Sequence, residues 1–323
     1  MWIKMTCLAL GVSLLAIPTS QAQKAPGISR VGWLEVCAPG PRRGGFDVFR
    51  ARLAEQGYVE GKNLIIEQRF ADCRYEKMPA LAAELVQVPV DVLFTIGTRA
   101  TRIVAKAVKT TPIVVYSCDP FAAVKHLARP DGNLTGVTCM TTELMPKRLE
   151  LLKEAVPGAA RVTLLQDPEA ATNAFELTQE AAPRLGIEMQ SAQVAAEEDL
   201  TTELTAITKQ RPDALLVYPD VVLSSHPRPQ QLGDFALKAK LPTVHAFRFY
   251  ADAGGLISYG ATTTEVYTSA AEQVAKILGG TPPGELPLRQ ATRFELVINN
   301  RTAKALGLTI PPSLLARADE VIE

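Results

Sequence analysis

The residues best suited to hold a small molecule stand at the ends of short apolar runs. In the first half of the chain they are Glu35, Cys37, Gly97, Thr98, Arg99, Ser117 and Asp119. In the second half they are Asp167, Tyr218, Asp220, Phe247, Arg248 and Tyr259. In open parallel sheets, ligands bind beyond the carboxyl ends of the strands, where helix N-termini present unpaired N–H groups. These residues therefore predict a ligand site in which two sets of side chains face each other across a cleft.

Gly97 and Thr98 suit a ligand carboxylate. Glycine lets a ligand approach the backbone, and a threonine at a helix start offers both its hydroxyl and an exposed N–H group. The alternative is that Thr98 only caps its own helix. Asp119 and Asp220 each stand beside a proline. Their carboxylates either pair with a ligand ammonium group or serve only as turn residues.

Arg248 and Tyr259 each allow two interpretations. Arg248, between two phenylalanines, either clamps a carboxylate with two parallel hydrogen bonds or lies in solvent on a loop. Tyr259 ends a strand that is expected to cross between the two halves of the chain. It either contacts the ligand through its ring or hydroxyl, or belongs to the core.

No motif for bond chemistry occurs in the sequence. GxxxxGK[ST], GxGxxG, GxSxG and HExxH are all absent. The histidines, His126, His226 and His245, show neither metal-ligand spacing nor the spacing of a nucleophile and its base. We therefore expect a protein that is not an enzyme and that has neither a cofactor nor a metal site.

The cysteines indicate disulfide bonds. Cys37, Cys73, Cys118 and Cys139 follow the N-terminal segment, and an even number of cysteines in an oxidising compartment is typical of disulfides. In a sheet with the strand order 2-1-3-4-5, Cys37 and Cys73 end adjacent strands, and so do Cys118 and Cys139. We predict these two pairs as disulfides, with free buried thiols as the alternative.

The N-terminal segment has the features of an export signal. Lys4 is its only charged residue, and an apolar run from Cys7 to Ile17 precedes small residues. This pattern predicts a signal peptide over residues 1–22 that is cleaved after Ala22, and hence a periplasmic protein that does not insert into the membrane after cleavage. With 34 basic and 34 acidic side chains in the whole chain, no excess of positive charge favours nucleic acid as a partner.

The remainder of the 323-residue chain alternates apolar runs with segments of helical period. Such alternation is typical of parallel sheets covered by helices. The alternation occurs twice, so we predict an α/β fold of two doubly wound parallel-sheet lobes rather than one unusually wide sheet. The predicted strands include Val31–Leu34, Leu64–Ile66, Val90–Ile96, Ile113–Tyr116, Leu134–Val137, Val162–Leu165, Glu188–Ala192, Ala214–Tyr218, Thr243–Phe247 and Leu256–Tyr259.

Several segments, spread in order over nearly the whole chain after residue 22, carry a family resemblance. They are 57–64 (GYVEGKNL), 79–86 (PALAAELV), 127–136 (LARPDGNLTG), 147–154 (KRLELLKE), 253–260 (AGGLISYG) and 302–320 (TAKALGLTIPPSLLARADE). Together they resemble the ABC transporter substrate-binding proteins whose better-known members bind tryptophan, tyrosine or phenylalanine.

The resemblance implies a periplasmic-binding-protein-like type I fold, in which two lobes are joined by a three-strand hinge. By this analogy, residues 28–138 and 256–285 form lobe 1, and residues 139–255 and 286–323 form lobe 2. It further implies a monomeric receptor that closes on a small solute and delivers it to an ABC permease in the inner membrane. The candidate residues favour an amino acid or a related small carboxylate. A secreted sensor without a transport role and a secreted α/β enzyme are the alternatives.

Overall fold

Two β-sheets organise the protein. The structure is a computed structural model that describes residues 27–38, 43–119, 126–130, 132–169, 173–195 and 200–323. The predicted signal peptide lies outside these residues. The strands are β1 (Ser29–Glu35), β2 (Leu64–Phe70), β3 (Val92–Ile96), β4 (Ile113–Ser117), β5 (Leu134–Thr138), β6 (Arg161–Gln166), β7 (Glu188–Gln193), β8 (Ala214–Val217), β9 (Thr243–His245), β10 (Ile257–Ala261), β11 (Arg289–Gln290), β12 (Phe294–Asn299) and β13 (Glu320–Ile322).

Helices lie between most of these strands. They are α1 (Arg43–Glu55), α2 (Met78–Gln87), α3 (Thr98–Ala107), α4 (Met145–Ala155), α5 (Ala174–Ala181), α6 (Leu200–Lys209), α7 (Arg228–Ala239), α8 (Arg248–Asp252), α9 (Thr263–Leu278), α10 (Asn300–Leu306) and α11 (Pro312–Leu315). Within the ranges described above, no helix is long and apolar enough to cross a membrane.

The first sheet has the order β11-β5-β4-β3-β1-β2, and all its pairings are parallel. Every residue of β3 and β4 is buried, as expected when helices cover both faces of a parallel sheet. The order contains the predicted 2-1-3-4-5 arrangement, with β11 added at the edge.

The second sheet has the order β13-β12-β10-β9-β8-β6-β7. Its pairings are parallel except for β10 with β12, which run antiparallel. Two separate, mostly parallel sheets confirm the predicted fold class and exclude the single wide sheet.

The described chain passes between the sheets three times, in residues 139–144, at Thr262 and in residues 291–293. The prediction grouped residues 256–285 with the first sheet, but β10 pairs with β9 and β12 of the second sheet. The following helix, α9, and the short turn Pro283–Glu285 pack on the first sheet. Conversely, β11 pairs with β5 in the first sheet although residues 286–323 were grouped with the second. The reason is that the chain changes sheets after Ala261 and again after Gln290.

An aromatic cluster fills the first half between the sheet and helices α1 and α9. The Trp33 ring lies 4.9 Å from Phe46, 5.0 Å from Phe49 and 4.5 Å from Phe94, between ring centroids. Tyr267 of α9 stacks on the same indole at 6.3 Å. Offset and edge-to-face contacts of this kind stabilise beyond simple burial, so α1, α9 and the strands are fixed relative to one another.

Gly233 of α7 packs directly against the turn that follows α8. A Cβ atom at this position would overlap the carbonyl oxygen of Ala253. We expect Gly233→Ala to lower the free energy of unfolding by about 1–3 kcal/mol, because two backbone segments must move apart. Urea denaturation measures this. Gly158→Ala is the control, since a Cβ there meets nothing within 4 Å; equal stability of the two variants would contradict the expectation.

Candidate ligand-binding site

A cavity lies between the carboxyl ends of the two sheets and leaves about 30 Å³ for the centres of water-sized molecules. Because one water needs about 10–15 Å³ of such space, the two halves lie close together in this structure. The first half contributes Ile96, Gly97, Thr98, Tyr116 and Cys118, and the second half contributes Tyr218, Pro219, Asp220, Val221, Ser224 and Phe247. Among the residues predicted to bind a ligand, Gly97, Thr98, Tyr218, Asp220 and Phe247 therefore lie together at the cavity.

The start of α3 forms the wall on the side of the first sheet. Gly97 is the cap residue and no side chain caps the helix, so Thr98 does not have the capping role that was its alternative. The Thr98 hydroxyl lies 3.2 Å from the Ser117 hydroxyl and accepts a hydrogen bond from the Asp119 N–H at 3.2 Å. Ser117 and Asp119 are buried and support Thr98, but they are not among the lining residues.

Gly97 also lies where the two halves meet. Its φ is +100°, and a Cβ on it would overlap Cγ2 of Val221. Glycine tolerates this backbone conformation because it has no Cβ. The residue is thus required by the contact between the halves as well as by the exposed helix start.

Asp220 places a buried carboxylate in the opposite wall. Its Oδ1 accepts a hydrogen bond from the Val222 N–H at 2.6 Å, and the Tyr75 hydroxyl donates to its Oδ2 at 3.3 Å. Burial raises the pKa of Asp220, although backbone N–H groups and Tyr75 partly offset the effect. The side chain stabilises its own turn, which confirms that predicted role, and it also lines the cavity. Pairing with a ligand ammonium group stays a prediction.

Arg99 connects the halves beside the cavity. Its Nε lies 3.0 Å from Glu169 Oε2, and its Nη1 lies 3.8 Å from Asp167 Oδ2. The guanidinium group also lies over the Tyr75 ring, 4.1 Å from the ring centroid. Arg99 and Asp167 were predicted to bind the ligand, but the structure places them in a contact between the halves.

Asp167 is almost completely buried, with 1% of its surface exposed. Burial and the nearby charge of Asp220 raise the pKa of Asp167 to about 6, while the Glu169 N–H and Arg99 act in the opposite direction. The Glu169 N–H donates to Asp167 Oδ1 at 2.8 Å. Asp167 therefore changes charge close to neutral pH.

Aromatic side chains supply the apolar part of the walls. The Tyr218 hydroxyl lies 2.8 Å from the Thr142 hydroxyl, which ties this wall to the first crossing segment. Tyr116 packs edge-on against Tyr267 at 5.5 Å, and Phe247 stacks on Phe249 at 5.6 Å. These contacts hold the rings in place, so the cavity offers preformed apolar surface.

Four predicted ligand contacts have other roles. The Glu35 carboxylate accepts a hydrogen bond from the Trp33 indole at 2.8 Å, and Cys37 is bonded to Cys73. Arg248 pairs with Glu320 and Asp252 on the surface, which agrees with the alternative of a solvated arginine. Tyr259 packs near Phe294, at 6.3 Å between centroids, which agrees with the alternative of a core residue.

One of the two predicted disulfides is present. Cys37 and Cys73 are bonded, which confirms that pair. Cys118 and Cys139 are not bonded, so the structure corrects this part of the prediction. Their sulfur atoms nevertheless lie 2.7 Å apart, because the two residues follow adjacent parallel strands whose last residues, Ser117 and Thr138, are paired.

His245 is a buried residue of the second sheet. Its Nε2 lies 2.9 Å from the Thr243 hydroxyl, and its ring stacks on Tyr250 at 4.4 Å. Burial lowers the pKa of His245 to about 3, so the imidazole is neutral. His245 is therefore part of the core of the second half.

Comparison with known proteins places this architecture in a family. The sequence profile described as "ABC transporter substrate binding protein" matches residues 43–322. The chain belongs to this family. A crystal structure of a conserved domain protein from Vibrio cholerae is 29% identical, with a TM-score of 0.85 over 91% of this chain and 99% of that one.

Two further relatives are named for their ligands. The ABC domain from Streptococcus pneumoniae in complex with L-Trp is 24% identical, with a TM-score of 0.82, covering 91% of this chain and 99% of that one. A tyrosine-binding protein of Clostridioides difficile is 23% identical over 266 residues, which are 80% of this chain and 75% of the relative. The match with the L-Trp complex covers both sheets of this chain.

Some residues that shape the site were not predicted. Tyr75 lies on a short 3-10 turn two residues after Cys73, and the predicted disulfide was the only signal near it. Tyr116 is the last but one residue of β4. The prediction placed it inside the strand, and the candidate residues began only after the strand end. Val221 and Ser224 follow Asp220 in a turn and show no signal in the sequence.

Gly97→Ala is expected to push the two halves apart. The added Cβ overlaps Val221, and a non-glycine residue in this conformation costs about 1–2 kcal/mol. Small-angle scattering should show a larger radius of gyration than for the unchanged protein. Adding Val221→Ala removes the overlap and should return the radius of gyration to that of the unchanged protein. An unchanged radius of gyration for Gly97→Ala alone would show that the contact does not limit closure.

Asp167→Asn is expected to stabilise the protein at neutral pH. The carboxyl titrates near 3.8 when unperturbed and at about 6 in the fold. Between these values the folded state binds more protons, so the free energy of unfolding falls as pH rises. At pH 7, Asp167→Asn should raise the free energy of unfolding by up to about 3 kcal/mol. The loss of the ion pair with Arg99 reduces this gain.

Urea denaturation at about pH 4 and pH 7 measures this effect. Asp213→Asn is the matched control with the opposite sign, because hydrogen bonds from the Ala160 and Arg161 N–H groups lower the pKa of Asp213. Its carboxylate stabilises the fold above its unfolded pKa, and this contribution is lost as pH falls. If Asp167→Asn is less stable than the unchanged protein at pH 7, the interpretation is wrong.

Proposed function

We propose that the protein is the extracytoplasmic receptor of an ABC importer and that it binds an amino acid or a related small carboxylate between its two halves. The observation that carries the proposal is that groups suited to a negative charge and to a positive charge face each other across the cavity. A helix start faces it from the first half, and a buried carboxylate faces it from the second. The family membership supports the receptor role, and the cavity walls support the ligand class.

The carboxylate of the ligand belongs at the start of α3. The first N–H groups of a helix have no partner within the helix, and the helix dipole favours negative charge there. Gly97 leaves the backbone open to approach, and the Thr98 hydroxyl lies at the same wall. These features suit an anion without a positively charged side chain in the cavity wall.

The ammonium group of the ligand belongs at Asp220. A buried aspartate that already receives backbone hydrogen bonds gains most from a cationic partner, because charge-assisted hydrogen bonds are strong away from water. The rings of Tyr116, Tyr218 and Phe247 are left to contact the side chain of the ligand. Relatives named for tyrosine and L-Trp agree with an amino acid that has apolar or aromatic surface.

Binding would stabilise the arrangement in which both halves contact the ligand. Arg99 with Asp167 and Glu169, and Tyr75 with Asp220, already join the halves. A ligand that touches both walls adds to these contacts only when the halves are together, and it therefore shifts the population toward closure. An ABC permease in the inner membrane would recognise that closed surface.

The remaining assignments follow from the sequence. Residues 1–22 act as a signal peptide that is cleaved after Ala22, which places the protein in the periplasm. There it acts as a monomer. The ligand is carried to the permease without bond chemistry, so the protein has no catalytic residues in this proposal.

A thermal-shift screen with amino acids, aromatic acids and sugars tests the ligand class. A ligand at 100 times its dissociation constant adds about 2.7 kcal/mol to the free energy of unfolding. Calorimetry on Asp220→Asn should then show affinity reduced by about 10- to 100-fold, as expected for loss of a charged partner. The same variant should unfold at a higher temperature in the absence of ligand, because it removes a buried charge.

Arg248→Gln is the matched control, because Arg248 lies in surface ion pairs. It should bind the ligand with unchanged affinity. Stabilisation by sugars alone would overturn the ligand class. Equal loss of affinity in Arg248→Gln and Asp220→Asn would show that the ligand binds outside the cavity.

A further inference from the structure

Two free cysteines meet at the point where the cavity wall joins the first crossing segment. Cys118 follows β4 and lines the cavity. Cys139 follows β5, is fully buried and begins the segment that leads to the second sheet. Their sulfur atoms lie 2.7 Å apart, closer than the van der Waals contact of two unbonded sulfurs, so a bond between them needs only a small movement. Of the two, only Cys118 lines the cavity.

A buried cation lies beside this pair. Arg148 of α4 is completely buried, and its Nη1 and Nε donate to the carbonyl oxygens of Thr141 and Tyr259 at 2.9 and 2.7 Å. Its Nη2 has no hydrogen-bond partner among the described residues, and none of their carboxylates pairs with it. A buried guanidinium group without an anion is unfavourable, so a negative charge close to Arg148 would stabilise it.

The Cys139 sulfur is placed to supply that charge. The Thr141 hydroxyl lies 3.1 Å from it. Burial opposes charge on Cys139, but hydrogen bonds with Cys118 and Thr141 and the charge of Arg148 outweigh it, so the pKa of the Cys139 thiol lies below its usual value. The hydrogen bond with Cys139 and burial raise the pKa of Cys118 well above its usual value. Cys139 is thus the more acidic thiol of the pair.

We propose that Cys118 and Cys139 form a reactive dithiol that exchanges with small disulfides entering through the cavity. Cys118 reacts first because it lines the cavity, and Cys139 completes the exchange because it is the more acidic thiol and lies beside Cys118. The neighbouring Arg148 and Thr141 act as positioning residues for the Cys139 thiolate. Cys37 and Cys73, already bonded and absent from the cavity wall, form the structural disulfide.

The exchange balances in two steps. With Cys139 deprotonated, Cys118 attacks one sulfur of the small disulfide while its proton passes to the Cys139 thiolate, and the first small thiolate leaves. That thiolate recovers the proton, and the Cys139 sulfur then attacks the Cys118 sulfur and expels the second thiolate. One disulfide bond forms in the protein, the bond in the small disulfide breaks, and two electrons pass from the cysteines to the small molecule.

Cystamine is a suitable small disulfide for the test. Peptide mapping by mass spectrometry should show a Cys118–Cys139 bond in the treated protein, and dithiothreitol should reverse it. In Cys139→Ser the reaction should stop at a cystamine adduct on Cys118. In Cys118→Ser, the adduct on Cys139 should form at least about tenfold more slowly, since that sulfur is buried. Equal rates in the two variants, or stable adducts in the unchanged protein, would overturn the proposal.

The role of Arg148 is tested through the second step, the release of the second thiol, followed against pH. Arg148→Gln should shift the profile to higher pH and slow release at pH 7 by about tenfold, and Arg148→Lys should restore much of the rate. Thr141→Val tests the same thiolate if Arg148→Gln does not fold. Profiles that match the unchanged protein would show that Arg148 only braces the crossing segments. No transport ligand is needed, so this result is independent of the proposed receptor function.

Discussion

Parallel strand pairing is the constraint on which the site depends. Because neighbouring strands run in one direction, all their carboxyl ends meet at a single edge of each sheet. The ends of β3 and β4 and the residues after β8 and β9 supply most of the cavity wall. The wall residues come from four strand ends, two in each sheet, so the cavity exists only when both sheets have formed and face each other.

Two buried aspartates lie where the halves meet, and they have different surroundings. Asp220 faces the cavity and is held by backbone N–H groups and Tyr75. Asp167 lies beside the cavity and is held by Arg99. Burial raises the pKa of both carboxyls, so bringing the halves together favours the uptake of protons. The closeness of the two halves is thereby linked to the acidity of their surroundings.

The strand-end rule predicted the centre of the site and failed at its borders. Gly97, Thr98, Tyr218, Asp220 and Phe247 were found because each follows a strand of strong apolar pattern. Glu35 also ends a strand, but its carboxylate is used by Trp33 two residues earlier, a pairing that requires knowledge of side-chain direction. Tyr75 and Val221 reach the site from turns, and their contribution depends on how the halves meet.

Arg148 illustrates what a helical pattern hides. In the sequence it lies within a charged stretch beside Lys147 and Glu150, which is typical of a solvent-exposed helix face. In the structure Lys147 pairs with Glu150 at the surface, while Arg148 turns inward to carbonyl oxygens of the first crossing segment and of β10. Only the path of the chain between the sheets distinguishes these two neighbouring cations, and that path also placed β10 and β11 against expectation.

The return of the chain to the first sheet has a consequence for biosynthesis. Helix α9, which carries Tyr267 onto Trp33, is made only after ten strands that span both sheets. A growing polypeptide therefore leaves the tryptophan cluster without this cover until residues 263–278 have been made, although domains commonly fold in the order of their synthesis. Neither half is a contiguous stretch of sequence, so the first half is completed only after much of the second has been made, and holding chaperones have a long interval in which to act on the unfinished chain.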